Sequence, residues 1–168
     1  MFKKHAISLM GLAVLMSSAA LASTTVSANL TPQTTVTNNC IIVGGSLTFS
    51  NYDPLGGAQV DGSTTFSIQC TDLMTAPNIL MDGGNSNTGS LSAPARRMKA
   101  TVSATDYFLD YNLYSDNAGG TVWEGSTGVA SPTPDGTAHN VTVYGRIAAN
   151  QNVPAATYGD TVVISVVF

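Results

Sequence analysis

Charge, histidine, cysteine and long apolar runs are all scarce in this chain. Only 10% of its 168 residues are charged, against a usual share of about 25%. Six lysines and arginines against ten acids leave an acidic, charge-poor chain, which argues against a nucleic-acid binder. Of its two histidines His5 lies in an expected export signal, and its two cysteines are expected to be bonded to each other, so His139 alone leaves no Cys/His set for a zinc site. A Ser-His-Asp set survives mere counting, but no G-x-S-x-G elbow occurs to present a nucleophile. His139 stands beside Asn140 at a strand opening and reads as a strand-end polar residue rather than a general base. The stretch from Asp82 to Gly89 looks like a calcium loop. Its twelfth position is Ala93, however, where an EF-hand needs a bidentate Glu, so it reads as a glycine-rich turn. No catalytic, metal-binding or cofactor-binding residue is expected, and the chain does not read as an enzyme.

No apolar run reaches the ~20 residues of a membrane helix. The first 22 residues instead read as a secretory signal. Lys3, Lys4 and His5 form the basic region, Ile7 to Met16 the apolar region, and Ala20-Leu21-Ala22 the cleavage motif, with the cut between Ala22 and Ser23. A second small-residue motif, Val26-Ser27-Ala28, lies farther from the apolar region. Once the signal has left, four basic residues face ten acidic ones, for a net charge of −6. On an exported chain an even pair of cysteines defaults to a disulfide, so Cys40 and Cys70 are expected to be bonded. Closing that loop contributes about 3–4 kcal/mol, largely by restricting the unfolded chain.

What is abundant is short apolar alternation broken by Gly, Pro, Asn and Asp. No helical period declares itself. Strands are expected at Ser46 to Ser50, Thr64 to Cys70, Asn78 to Met81, Arg97 to Val102, Phe108 to Tyr114, Thr121 to Glu124, Asn140 to Ala148 and Tyr158 to Phe168. Such regular short strands predict an all-β sandwich. Trp123, Tyr107, Tyr111 and Tyr114 are expected to pack in the core and hairpins rather than form a sugar platform. Arg96, Arg97 and Lys99 are expected to be solvated where a strand begins.

Two segments are odd. The last strand alternates Thr161, Val163, Ser165 and Val167 against Val162, Ile164, Val166 and Phe168, so one face is wholly apolar. An unpaired edge of this kind templates pairing with another chain, so either the domain or a partner must cover it. Residues 23–39 contain no charge and no glycine. Their even positions, Val26, Ala28, Leu30, Pro32, Thr34 and Val36, are mostly apolar, while the odd ones are largely Ser, Thr, Asn and Gln. That is a strand pattern in a terminal tail. Either it pairs within its own domain or it is a strand for another chain's sheet.

An ordered set of motifs then carries a resemblance. After the first cysteine come Phe49-Ser50-Asn51-Tyr52-Asp53-Pro54, Ser67-Ile68-Gln69-Cys70-Thr71 and Arg96-Arg97-Met98. Leu109-Asp110-Tyr111-Asn112-Leu113-Tyr114, Val143-Tyr144-Gly145-Arg146-Ile147 and Tyr158-Gly159-Asp160-Thr161 follow. Together they resemble the spore coat protein U domain, the fold of archaic (Csu-type) chaperone–usher pilins. Two positions depart from the family pattern: Ala156 replaces the usual glycine, and Pro32 removes one backbone donor from the tail.

The resemblance implies an incomplete immunoglobulin-like β-sandwich that a donor strand from a neighbouring subunit completes. It implies residues 1–22 as signal peptide, 23–39 as donor arm and 40–168 as the pilin domain. Val26, Ala28, Leu30, Thr34 and Val36 would be donor residues, with Val162, Ile164, Val166 and Phe168 in the acceptor strand. The expected partners are identical or related pilin subunits, a periplasmic chaperone and an outer-membrane usher, with no nucleic acid, no cofactor and no membrane-spanning segment. The expected setting is an extracellular pilus that supports surface attachment and biofilm formation. A tip adhesin or carbohydrate-binding module of the same fold, or a secreted coat protein, are the alternatives.

Overall fold

A computed structural model describes residues 23–168; the expected signal sequence and Ala22 lie outside the described residues. The chain divides into two units, residues 1–35 and 36–168. In the first, residues 23–35 carry neither helix nor strand and are exposed throughout.

The second unit is all-β. Its strands are β1 (Cys40–Val43), β2 (Val60–Cys70), β3 (Asn78–Met81), β4 (Arg96–Val102), β5 (Thr105–Tyr114), β6 (Val129–Ala130), β7 (Ala138–Ile147) and β8 (Ile164–Val167). One sheet runs β1-β2-β7-β5-β4 and the other β6-β3-β8. Every pairing is antiparallel. Alternation decides which face goes inward. Phe66, Ile68 and Cys70 of β2, Leu109, Tyr111 and Leu113 of β5, and Val143 and Ile147 of β7 are buried together. Against them the second sheet sets Ile79 and Met81 of β3, with Ile164 and Val166 partly buried. Trp123 fills the middle at 1% exposure, its indole N–H donating to the Ile79 carbonyl at 2.9 Å. β4 and β5 join through Ser103 and Ala104, both with positive φ, as a two-residue hairpin turn requires.

Several sequence expectations change. Ser46–Ser50 and Thr121–Glu124 form no ladder; Val122 makes only an isolated bridge to Tyr114. Of the expected strand from Tyr158, only Ile164–Val167 pairs as a strand, and Gly159 bridges Lys99. β1 and β6 were not expected. The Ile41-Ile42-Val43 run is too short to show a period, and β6 is only two residues long.

Arg96 is the largest correction. Instead of being solvated it is 1% exposed. Its guanidinium donates to the carbonyls of Asp82 (2.9 Å), Met81 (3.0 Å) and Trp123 (2.7 Å), and to Asn112 Oδ1 (2.7 Å). Burial lowers its pKa, opposed by Tyr111, Asp82 and Asp160. Arg97 stays nearer the surface, its guanidinium 4.3 Å from the centre of the Phe108 ring. Lys99 pairs with Asp106 at 2.7 Å.

Candidate functional site: an open groove between the sheets

The free edge of β8 defines the site. β8 pairs with β3 on one side, and no described strand lies on the other. The Asp82 amide donates to the Val163 carbonyl at 3.1 Å, and the Val163 amide donates to Asp82 Oδ1 at 2.9 Å. The backbone at 163 therefore faces β3. Since backbone polar groups alternate sides along a strand, Val162, Ile164 and Val166 present theirs to the open edge. Their side chains point inward and are partly buried. Edge groups and apolar side chains thus belong to the same three residues.

Across from this edge runs Gly44–Ser50, which has no ladder partner among the described residues. Leu47 and Phe49 alternate inward from it and are seated over two glycines. Gly62 of β2 and Gly145 of β7 lie directly opposite one another. A methyl group on Gly145 would stand 2.6 Å from both Leu47 and Phe49. The glycine pair is therefore a notch in the sheet that lets these two side chains descend. Phe49 also meets Tyr111 edge-on, with ring centres 6.3 Å apart.

Between the two walls lies a groove of about 380 Å³, floored by Phe66, Met81, Leu113 and Val143. It continues into a second lobe of about 660 Å³ toward Tyr52 and Val153–Tyr158, the two lobes sharing Leu47, Phe49, Met98 and Tyr158. The floor is apolar while the rims mix polar and apolar groups in near-equal measure, which suits an extended peptide with its own backbone polar groups better than a small apolar ligand.

Carboxylates anchor the groove's C-terminal wall. Asp160 accepts from the Tyr111 hydroxyl (2.8 Å) and from the amides of Asn85 (2.9 Å) and Thr161 (2.8 Å). Burial first, then the hydrogen bond and charge of Asp160, raise the Tyr111 pKa, so the phenol stays protonated. Asp82 also accepts from the Gly84 amide. Lys99 and Gly159 exchange two backbone hydrogen bonds at 2.9 and 3.1 Å. The wall is held from behind while its front edge is left unpaired.

Of the acceptor residues expected from sequence, Val162 and Ile164 line the groove, Val166 packs on the core, and Phe168 is 62% exposed. The expected donor residues Val26, Ala28, Leu30, Thr34 and Val36 are all exposed, Leu30 at 89%. Cys40 and Cys70 are disulfide-bonded. His139 bonds Asp135 at 2.8 Å, and the hydrogen bonds of Thr137 and His139 lower the Asp135 pKa to about 2. Sequence reading missed the opposite wall, Leu47 and Phe49 above the glycine notch. Its signal was the glycine at the same inward-facing parity in both Thr64 to Cys70's N-terminal extension and Asn140 to Ala148.

The comparisons fit this geometry. A chain in the crystal structure of a chaperone–tip adhesion subunit pre-assembly complex, from archaic chaperone–usher Csu pili of Acinetobacter baumannii, superposes with a TM-score of 0.56 at 25% identity. The match covers 80% of this chain but only 40% of that one. Protein U of Myxococcus xanthus is 39% identical over 155 residues, 86% of each chain. Residues 23–165 match the model of the Spore Coat Protein U domain. The chain belongs to the Spore Coat Protein U domain family.

Proposed function

We propose that this chain is a structural subunit of an archaic chaperone–usher pilus, polymerised by donor-strand exchange. The observation that carries the reading is complementarity between a free β edge over an apolar floor and a segment with one apolar face. The groove offers an unpaired β edge whose inward residues are Val162, Ile164 and Val166, and residues 23–39 alternate with apolar side chains at even positions. Residues 1–22 are then a signal peptide cut between Ala22 and Ser23, residues 23–39 the donor arm, and residues 40–168 the pilin domain.

The arm of one subunit enters the groove of the next as an added strand. Directly opposite residues of an antiparallel pair share a face, so inward even residues of the arm also turn their backbone groups toward β8. Pro32 accordingly costs one hydrogen bond of that ladder. Burying three or four of Val26, Ala28, Leu30 and Val36 contributes roughly 5–10 kcal/mol gross, before ordering costs. A head-to-tail contact that does not close on itself makes a fibre. Before assembly a periplasmic chaperone fills the groove, and an outer-membrane usher passes the subunits to the cell surface, where the fibre supports attachment and biofilm formation. The family's description also favours a secreted coat protein; electron microscopy separates thin fibres from a continuous layer.

The test is a pair of substitutions in cells that carry a cognate chaperone and usher. Leu30→Asp places an unpaired carboxylate in an apolar groove, at a cost of several kcal/mol. It is expected to abolish fibres while leaving the chaperone complex intact. Thr31→Asp, on the outward face, is expected to assemble nearly normally. Equal effects of the two on fibre yield would contradict a register-specific donor strand. Loss of the chaperone complex with Leu30→Asp would place the arm inside its own subunit instead.

A further inference from the structure

The root of the arm is fastened more firmly than the strand that follows it. The carbonyl of Asn39 accepts from the Thr71 amide (2.9 Å) and from the Thr71 hydroxyl (3.0 Å), and the Asn39 amide donates back to that hydroxyl (2.9 Å). The next residue, Cys40, begins β1 and is bonded to Cys70, which ends β2 directly opposite. Beyond this point the chain is weakly held. β1 is an edge strand with four register pairs to β2, and its Ile41 and Val43 are exposed. Then comes Gly44–Ser50, the groove wall, held by Leu47 and Phe49 in the glycine notch and by no ladder. The order along the chain is therefore arm, disulfide, edge strand, groove wall.

We propose that the Cys40–Cys70 disulfide is a tension clamp that keeps a pull on the arm out of the groove wall. The inference rests on the pilus reading, in which the arm carries the load between subunits. Without the bond, tension at Asn39 meets the Thr71 contacts and then the four pairs of β1. Once those part, no ladder resists until β2 begins at Val60. Leu47 and Phe49 are drawn from their notch, the groove loses a wall, and the donor strand lying in it is released. A subunit pulled by its own arm would thus let go of its other neighbour.

With the bond in place, force crosses at Cys40 to Cys70. It enters β2, which is paired with β7 at ten positions and is buried along its inner face. The chain between the cysteines, groove wall included, lies outside the path of the load. The position of the bond matters more than its presence. A disulfide later in β1 would leave the first residues of that strand free to peel, and one beyond Ser50 would leave the wall itself under load.

The experiment stretches single assembled fibres in an optical trap before and after reduction with a phosphine, thiol labelling confirming two thiols per subunit. Reducing finished fibres avoids asking a cysteine-free subunit to fold. Fibres of the Cys40→Ser, Cys70→Ser double variant form a second arm of the test and are expected to behave as reduced fibres. Reduced fibres are expected to stay intact at rest but to break at roughly half the force or less, following the shorter ladder. Before breaking they should lengthen by up to about 70 Å per subunit, the extended span of the roughly 20 residues from Cys40 to β2. Unchanged breaking force and extension after reduction would overturn the clamp. So would reduced fibres that fall apart at rest, because the bond would then serve static stability alone. Failure of the natural chain to form fibres is seen before stretching and overturns the polymer reading, and the clamp with it.

Discussion

Arg96 shows how much a single residue can hold together. Three of its contacts are backbone carbonyls, and these come from the end of β3 and from Trp123. Strand ends leave such carbonyls without partners, and a buried unpaired acceptor costs about 1–3 kcal/mol. One rigid fork of donors satisfies three of them together, which a lysine could not do. Among the described residues no carboxylate lies within salt-bridge distance, so the cation is stabilised by dipoles, helped at longer range by Asp82 and Asp160. Arg96→Met keeps the volume but strands all three carbonyls, and is expected to cost about 3–5 kcal/mol. Urea titration of purified fibres measures this cleanly, because Trp123 is the only tryptophan and is wholly buried. A midpoint unchanged from that of the natural fibre would show that the network is dispensable.

At the scale of elements, the groove depends on a wall that is not a strand. Burial within Gly44–Ser50 alternates as in a strand, yet its seat is the Gly62–Gly145 notch rather than a ladder. Gly145→Val is expected to push Leu47 and Phe49 outward, costing about 1–3 kcal/mol in overpacking and lowering fibre yield through a misshapen groove. Gly44→Ala, with nothing within 4 Å of the added methyl, is the matched control and is expected to be tolerated. Equal fibre yields for the two variants would mean that the notch does not shape the groove.

The same segment explains what was legible in the sequence. Period-two alternation marked the cores of β2, β5 and β7, because it records which side chains turn inward, while β3 and β4 were marked as short runs between turn residues. It records nothing about backbone partners, so Ser46–Ser50, Thr121–Glu124 and the residues before Ile164 looked like strands although they form no ladder. β1 escaped because three successive apolar residues carry no period. Arg96 was misplaced because a charge suggests solvent, and only the fold reveals three carbonyls converging on one point. One wall of the groove was readable from the terminal alternation of Val162, Ile164 and Val166. The other depends on glycines 83 residues apart in sequence, Gly62 and Gly145, meeting across two strands.

For the whole molecule, the two sheets are unequal, five strands against three. The smaller leaves the β8 edge and the core residues beneath it accessible along the groove. In the proposed pilus this inequality is what makes the subunit assemble, since residues 23–39 offer an alternating strand with one apolar face to the edge the smaller sheet leaves free. The most direct measurement places a photo-crosslinking benzophenone side chain at position 30, or alternatively at position 31, in assembled fibres, and maps the crosslinked peptides. Mixing isotope-labelled and unlabelled subunits separates links between chains from links within one. Position 30 is expected to link to peptides carrying Leu47, Phe49 or Val162 of a different subunit, with position 31 linking far less. Crosslinks from position 30 confined to its own chain, or equal capture from positions 30 and 31, would contradict donor-strand exchange through this groove.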